Sequence, residues 1–365
     1  MSEKTVTSLN AVDLFSGGGG LTMGLKMAGF DVKAAVELDA HAAATFQANH
    51  RETKLFVQDI RFVKGSDILN LIPEQHLDLL SACPPCQGFT SLTAKYKRED
   101  PRNLLINEML RLVEETNPSA IMMENVPGLA SRGNHLLSPV IERLKKLGYI
   151  VNYGVLQVAD FGVPQFRKRL VLLAGKGFAI PLPDGSHSKD GREKPKWVTV
   201  KEAIGDMPKP LTLSQAKKQG KFPMSSWHIV RDLSEINIKR LQAAVPGMSW
   251  ECIPEELRPD CHKGDYKGFS NVYGRMLWDD VSPTITGGCT TLSRGRYGHP
   301  EDTRTISVRE AARLQTFPDN YVFDTALMDK VCVIIGNALP CKFAEYLANH
   351  CKNYINKART AGLIP

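Results

Sequence analysis

LNAVDLFSGGGGLTMGLKMAGFDVKAAVELD, residues 9–39, holds an apolar run, a glycine loop, a helical stretch and a second apolar run. LNAVDLF, ending at Phe15, reads as a short buried strand. SGGGG interrupts it, and LTMGLKMAGF then places Leu21, Leu25, Met27 and Ala28 at helical spacing. DVKAAVELD is a second buried strand, ending in the acids Glu37 and Asp39. Strand, tight loop, helix and strand in so short a span form a βαβ unit, which predicts parallel pairing.

The alternation continues along the chain. AHAAATFQANH is helical, KLFVQDI is a third strand ending at Asp59, and LDLLSACPPC is a fourth, stopped by Pro84. The helix NLLINEMLRLVEETN precedes the strand SAIMMENV, and RLVLLAG, residues 169–175, is a further strand. The expected fold is α/β: a doubly wound, mixed but mostly parallel, Rossmann-like sheet. Such sheets bind ligands outside the carboxyl ends of their strands, where the unusual residues of this chain fall.

PLPDGSHSKDGREKPKW, rich in proline, glycine and charge, reads as a linker. Helical periodicity is sparse from about 180 to 300 and returns in VREAARLQTFP and IGNALPCKFAEYLANHC. The expected division is therefore a sheet domain over 1–179 and 301–365, with a smaller irregular domain over 180–300. Hydrophobic residues make up 42% of the 365 and charged residues 23%, as in ordinary soluble proteins. No apolar run is long enough to span a bilayer, and MSEKTVTSLN lacks a signal-peptide core, so a cytoplasmic protein is expected. A net charge of +7 suits nucleic acid without requiring it. Of eight cysteines, only Cys83 and Cys86 form a C-x-x-C pair, so no four-cysteine zinc site and no other metal is expected, and the thiols are expected to be reduced.

Residues Ser16 to Gly20 let a ligand approach the backbone, and the following helix N-terminus offers amide hydrogens to an acidic group. This is not a G-x-G-x-x-G fingerprint, because Thr22 stands where the last glycine would be. Glu37 suits the two hydroxyls of a ribose, and Asp59 suits an adenine amino group. Each alone is an ordinary loop acid; together they describe a nucleoside lying across the strand ends. Cys86, backed by two prolines just past a strand, is the candidate nucleophile, with Cys83 a small buried filler. Glu124 and Asn125 end the next strand. Arg167 and Arg169, at strand spacing, are expected on one face, where guanidinium groups suit a carbonyl, carboxylate or phosphate.

DLFSGGGGLTMGL, VELD, QDI, PPCQGF, ENV, QFRKR, REAARLQTFP and GNALP occur in this order. The set resembles the DNA cytosine-5 methyltransferases from Val12 to about Tyr346. The resemblance implies S-adenosylmethionine as cofactor and a cytosine flipped out of duplex DNA as substrate. It implies that Phe15, Ser16, Gly17, Gly18, Gly19 and Gly20 contact the cofactor, with Glu37 on the ribose. Leu38 stands where a bulky aromatic is common, Asp59 and Ile60 lie at the adenine, Pro84 and Leu105 line the site, and Asn337 returns from the C-terminal segment. Cys86 would add to C6, Glu124 would serve N3 and the N4 amino group, Arg169 would hold O2, and Arg167 would assist Cys86 or Glu124. The polar segment after Cys86 reads as a loop closing on DNA, with Gln87, Ser91, Lys95, Lys97 and Arg98 as contacts. Arg275, Thr290, Thr291, Arg294 and Arg296 are candidate base readers in the middle region. A monomer acting with or without a partner nuclease is expected. An RNA cytosine methyltransferase, or a catalytically silent DNA-binding protein, remains the alternative.

Overall fold

The computed structural model describes residues 8–85, 100–220, 226–264 and 270–365. The chain folds as two compact units. The first comprises the chain through Phe161, Lys168–Gly185 and Leu339–Pro365; the second comprises Gly162–Arg167 and Ser186–Ala338.

The first unit holds a seven-stranded sheet of β1 (Asn10–Leu14), β2 (Asp31–Glu37), β3 (Lys54–Val57), β4 (Leu79–Ala82), β5 (Ala120–Asn125), β6 (Tyr149–Gln157) and β7 (Lys168–Lys176), in the order β3-β2-β1-β4-β5-β7-β6. Strands β1 to β5 pair in parallel, while β7 pairs antiparallel with both β5 and β6. The helices are α1 (Gly20–Met27), α2 (Ala40–Asn49), α3 (Gly65–Leu69), α4 (Ile106–Thr116) and α5 (Asn134–Lys146). Val12, Leu14, Leu80, Ala82, Ile121, Met123, Leu170 and Leu172 form one core cluster with Met109, Leu112, Leu137 and Leu144 of the helices. Strand order reverses between β1 and β4, so the crevice of the switch point opens at Phe15 and Cys83. The expected mixed, doubly wound sheet is thus present.

Two local expectations change. The third strand stops at Val57, because Asp59 accepts the Arg61 N–H and turns the chain into a 3-10 helix over Ile60–Phe62. Strand β6 carries no clear signal in the sequence. It is the sheet edge, and Asn152 and Gly154 dilute its apolar pattern.

The second unit carries α6 (Val200–Ile204), α7 (Leu213–Lys218), α8 (Glu235–Ala243), α9 (Val308–Leu314) and α10 (Met328–Asn337), plus a two-stranded ladder of Leu211–Thr212 with Ile229–Val230. Its limits differ from the expected 180–300, since residues 301–338 belong to it. The reason is packing within α9: Val308, Ala311, Ala312 and Leu314 are buried, and Arg309 donates to Ser226 O at 2.6 Å and Tyr321 O at 2.9 Å. The last helix, α11 (Cys341–Thr360), returns to the first unit. A Cβ on Gly24 of α1 would come within 2.4 Å of the Ala344 side chain, so glycine permits the close α1–α11 approach. The stretch Met328–Thr360 is apolar enough by composition to cross a membrane, but 67% of its apolar window is buried and Pro340 splits it into α10 and α11.

Candidate active site

The glycine loop follows directly from β1. Phe15 has φ 61° and Gly17 φ 55°, and at Gly17 a Cβ would meet nothing within 4 Å, so a ligand has room over the backbone. Ser16 N donates to Val36 O at 3.0 Å, and Gly17 N donates to Glu37 Oε2 at 2.8 Å. Glu37 Oε1 accepts from Leu38 N at 2.9 Å and Asp39 N at 2.7 Å. Three backbone donors therefore fix the Glu37 carboxylate at the end of β2, with acceptor capacity remaining. Burial raises its pKa against those hydrogen bonds. Helix α1 starts at Gly19, in the left-handed region, with no side-chain cap, which leaves its first turn suited to an acidic ligand group.

Around this loop, Leu38 is 64% exposed, Ile60 is buried, and Phe62 is 74% exposed. Asp59 has a cation beside it. Its carboxylate accepts from Arg61 Nε at 3.0 Å and Nη2 at 2.6 Å, and this pair pushes its pKa down to about 2. Phe62 carries no sequence signal beyond its closeness to Asp59. Pro84 is buried and Leu105 half-buried; Asn125 Nδ2 donates to Pro84 O at 3.0 Å, which ties the exit of β4 to the end of β5.

The catalytic candidates separate. Glu124 Oε1 and Arg169 Nε lie 2.5 Å apart with side chains 11% and 13% exposed. A charge pair so shielded from water is costly to break, because removing one partner strands the other, and β5–β7 pairing fixes its geometry. Cys83, read as a filler, is instead half-buried against Glu124. Burial, then the Glu124 and Asp13 charges, hold its thiol well above the usual cysteine range, so it stands as an S–H donor toward Glu124.

Arg167 does not share the face of Arg169. It is 3% exposed and donates to Ile285 O at 2.9 Å, Gly336 O at 3.2 Å and Ala338 O at 3.3 Å, all within the second unit. The strand begins only at Lys168, so strand parity does not reach Arg167. Asn337 ends α10 in the second unit. Cys86, Gln87, Ser91, Lys95, Lys97 and Arg98 lie outside the described residues.

The model of the C-5 cytosine-specific DNA methylase family matches residues 9–353. The chain belongs to that family. It is 37% identical over 350 residues to the Type II methylase M.HgiDII of Herpetosiphon aurantiacus, covering 94% of this chain and 95% of that one. It is 33% identical to the Type II methyltransferase M1.HphI of Haemophilus parahaemolyticus, over 93% of this chain and 86% of that one. Among solved structures, a prophage-encoded DNA modification methyltransferase from E. coli aligns with TM-score 0.72 and 25% identity over 96% of this chain and all of its own, 100%. The DNMT2 of Spodoptera frugiperda shares the fold, with TM-score 0.60 at 20% identity, 94% of this chain and 100% of that one being covered.

For this DNA cytosine-5 methyltransferase the middle-region candidates divide again. Arg275 is 6% exposed, and its guanidinium donates to Leu241 O at 2.8 Å, His299 O at 2.9 Å and Asp302 O at 2.7 Å; a group so committed cannot reach a base edge. Thr290 is 1% exposed and accepts from Arg231 Nε at 3.1 Å, which withdraws it too. Arg294 is exposed, Thr291 is half-buried, and Arg296 is half-buried with Nη1 donating to Gly247 O. Among the described residues, no group of three or more His, Cys, Asp or Glu gathers as a metal site.

Proposed function

We propose that this methyltransferase carries the methyl group of S-adenosylmethionine to C5 of a cytosine flipped out of a specific duplex DNA sequence, through a covalent Cys86–C6 adduct. It would act in the cytoplasm as a monomer, protecting DNA beside a restriction nuclease or another defence partner. That role follows its likeness to proteins named as Type II methylases. The observation that carries the chemistry is the buried Glu124–Arg169 pair, where the carboxyl end of β5 meets the amino end of β7.

The open space at Gly17, the uncapped start of α1 and the pre-set Glu37 carboxylate fit the cofactor. Phe15, Ser16, Gly17, Gly18, Gly19 and Gly20 would cradle it, with Glu37 on the ribose. Leu38, Asp59, Ile60, Pro84 and Leu105 would complete the site. When bound, S-adenosylmethionine supplies an electrophilic methyl on a cationic sulfur.

Cytosine C5 is a weak nucleophile. Addition of the Cys86 thiolate to C6 makes C5 enamine-like and pushes charge onto N3 and O2. Glu124 would meet N3 and the N4 amino group, while Arg169 would hold O2 and orient Glu124 through the bond already made. After transfer, water takes the C5 proton and Cys86 leaves. Gln87, Ser91, Lys95, Lys97 and Arg98 would close on the flipped strand; Thr291, Arg294 and Arg296 are the readers left by the burial of Arg275 and Thr290.

The test is duplex DNA carrying 5-fluorocytosine at the target, which bisulfite sequencing of DNA from expressing cells first locates. Fluorine cannot leave C5 as a cation, so enzyme and DNA should stay joined after transfer. The joint should survive denaturing electrophoresis and vanish with Cys86→Ala. Normal methylation of ordinary DNA without any crosslink would overturn the covalent route. Methyl transfer to tRNA and not to DNA would overturn the substrate.

A further inference from the structure

Asp13 sits inside β1, immediately beneath the glycine loop, and is 0% exposed. Its carboxylate is half-satisfied: Thr22 Oγ1 donates to Oδ2 at 2.6 Å, while Oδ1 is buried with no hydrogen-bond partner among the described residues. Leaving such an oxygen unpaired is costly, and a buried group of this kind calls for an explanation.

Among the described residues no cation compensates it. On α1 the group facing Asp13 is neutral Thr22, by side chain and backbone N–H; on β2 it is Glu37, an acid; past β4 it is the Cys83 thiol. Lys26 of α1 is engaged with Glu52 and His50, and His50 itself lies against Gly19 O at 3.2 Å. The arginine at these strand ends, Arg169, is paired with Glu124. Among the described residues, the ends of β1, β2 and β5 thus present Asp13, Glu37 and Glu124 with one guanidinium, that of Arg169. The resulting negative bowl lies under a loop that has open space above Gly17.

Resting on the cofactor reading above, we propose that Asp13 is the buried counter-charge for a sulfonium cofactor: its ionised form accepts the positively charged methyl donor, and binding expels one proton from the carboxyl group to solvent. The proton balance is simple. Protonated Asp13 and the cation give ionised Asp13 beside the cation, plus a released proton. Burial pushes Asp13 up to about 7, with the Thr22 hydrogen bonds opposing, so both forms are present near neutrality before the cofactor arrives. Methyl transfer turns the sulfonium into a neutral thioether, and the attraction ends with the reaction. S-adenosylhomocysteine then has no preference for ionised Asp13, which favours its departure.

Isothermal titration of the whole protein with each compound, from pH 6 to pH 8, tests this without any turnover. If only ionised Asp13 accepts the donor, S-adenosylmethionine should bind roughly ten-fold more tightly at pH 8 than at pH 6. Titrations at pH 6 in two buffers of different ionisation enthalpy should show proton release. S-adenosylhomocysteine should bind almost independently of pH. Glu37 would meet the ribose of both compounds, so its titration cancels in this comparison. Asp13→Asn, which keeps shape and the Thr22 contact, should abolish the dependence for S-adenosylmethionine. Equal pH dependence for the two compounds, or an unchanged dependence in Asp13→Asn, would overturn the proposal. Failure of the unaltered protein to bind either compound at any pH would instead remove the cofactor reading, and this inference with it.

Discussion

Replacing Arg167 by methionine separates a brace from a catalytic group. The guanidinium reaches Ile285 O at 2.9 Å, Gly336 O at 3.2 Å from both Nη atoms, and Ala338 O at 3.3 Å. A hydrogen bond from a charged donor contributes about 1.5–3 kcal/mol, and methionine keeps most of the apolar stem. Three buried carbonyls would lose their donor, and some would recruit water. The expected loss is about 5 kcal/mol, within the usual cost of breaking a buried charged contact. For a unit of roughly 160 residues that lowers the unfolding temperature by about 10–20 °C. Differential scanning calorimetry of Arg167→Met beside Arg169→Met reads this directly. Arg167→Met should melt early yet retain most turnover at a temperature where it is folded. Arg169→Met should lose turnover, because Glu124 is left without its partner. An Arg167→Met protein of unaltered stability that cannot transfer methyl groups would refute the bracing role and return Arg167 to the chemistry.

Glu124→Gln should slow the chemical step by orders of magnitude while leaving cofactor affinity intact, since the amide cannot cycle a proton at N3; single-turnover rates equal to those of the unaltered enzyme would move the acid elsewhere. Cys83→Ala should shift the pH profile of turnover by removing a donor from Glu124, and Cys83→Ser should restore it; two unchanged profiles would return Cys83 to the role of filler. His50 is held neutral, its pKa pushed down to about 4 by burial and then by Lys26. The unfolded chain takes up a proton there below about 6.5, so this residue costs stability as pH falls from 6.5 toward 4. His50→Gln should flatten that part of the stability curve, as measured by urea unfolding at pH 4.5 and pH 7.

The sheet was legible because its central strands are buried on both faces and read as unbroken apolar runs, as in β1 and β4. The edge strand β6 was not, because exposure of Ile150, Tyr153 and Val155 mixes with Asn152 and Gly154 and leaves no clean period. The unit boundary failed for a related reason. Helix α9 has the ordinary apolar spacing of a core helix, and spacing alone does not say which core it enters. Its partners, Ser226 O and Tyr321 O, are fixed only once the second unit has folded.

Arginine shows where sequence reading of a site stops. Arg167, Arg169, Arg275 and Arg294 are the same letter in similarly polar neighbourhoods, yet two hold backbone carbonyls, one holds a carboxylate and one is exposed. A guanidinium has five donors in a fixed fork, so it satisfies several carbonyls as readily as it meets a base or a phosphate. Which use prevails depends on whether turns from distant sequence converge on it. Ile285, Gly336 and Ala338 converge on Arg167; Leu241, His299 and Asp302 converge on Arg275. At Arg169 the neighbour is Glu124, fixed by strand register, and that pairing follows from the β5–β7 ladder. Function is therefore most readable where residues sit at strand ends, because sheet order places them. It is least readable in the irregular unit, where no periodicity says which arginine the backbone has already claimed.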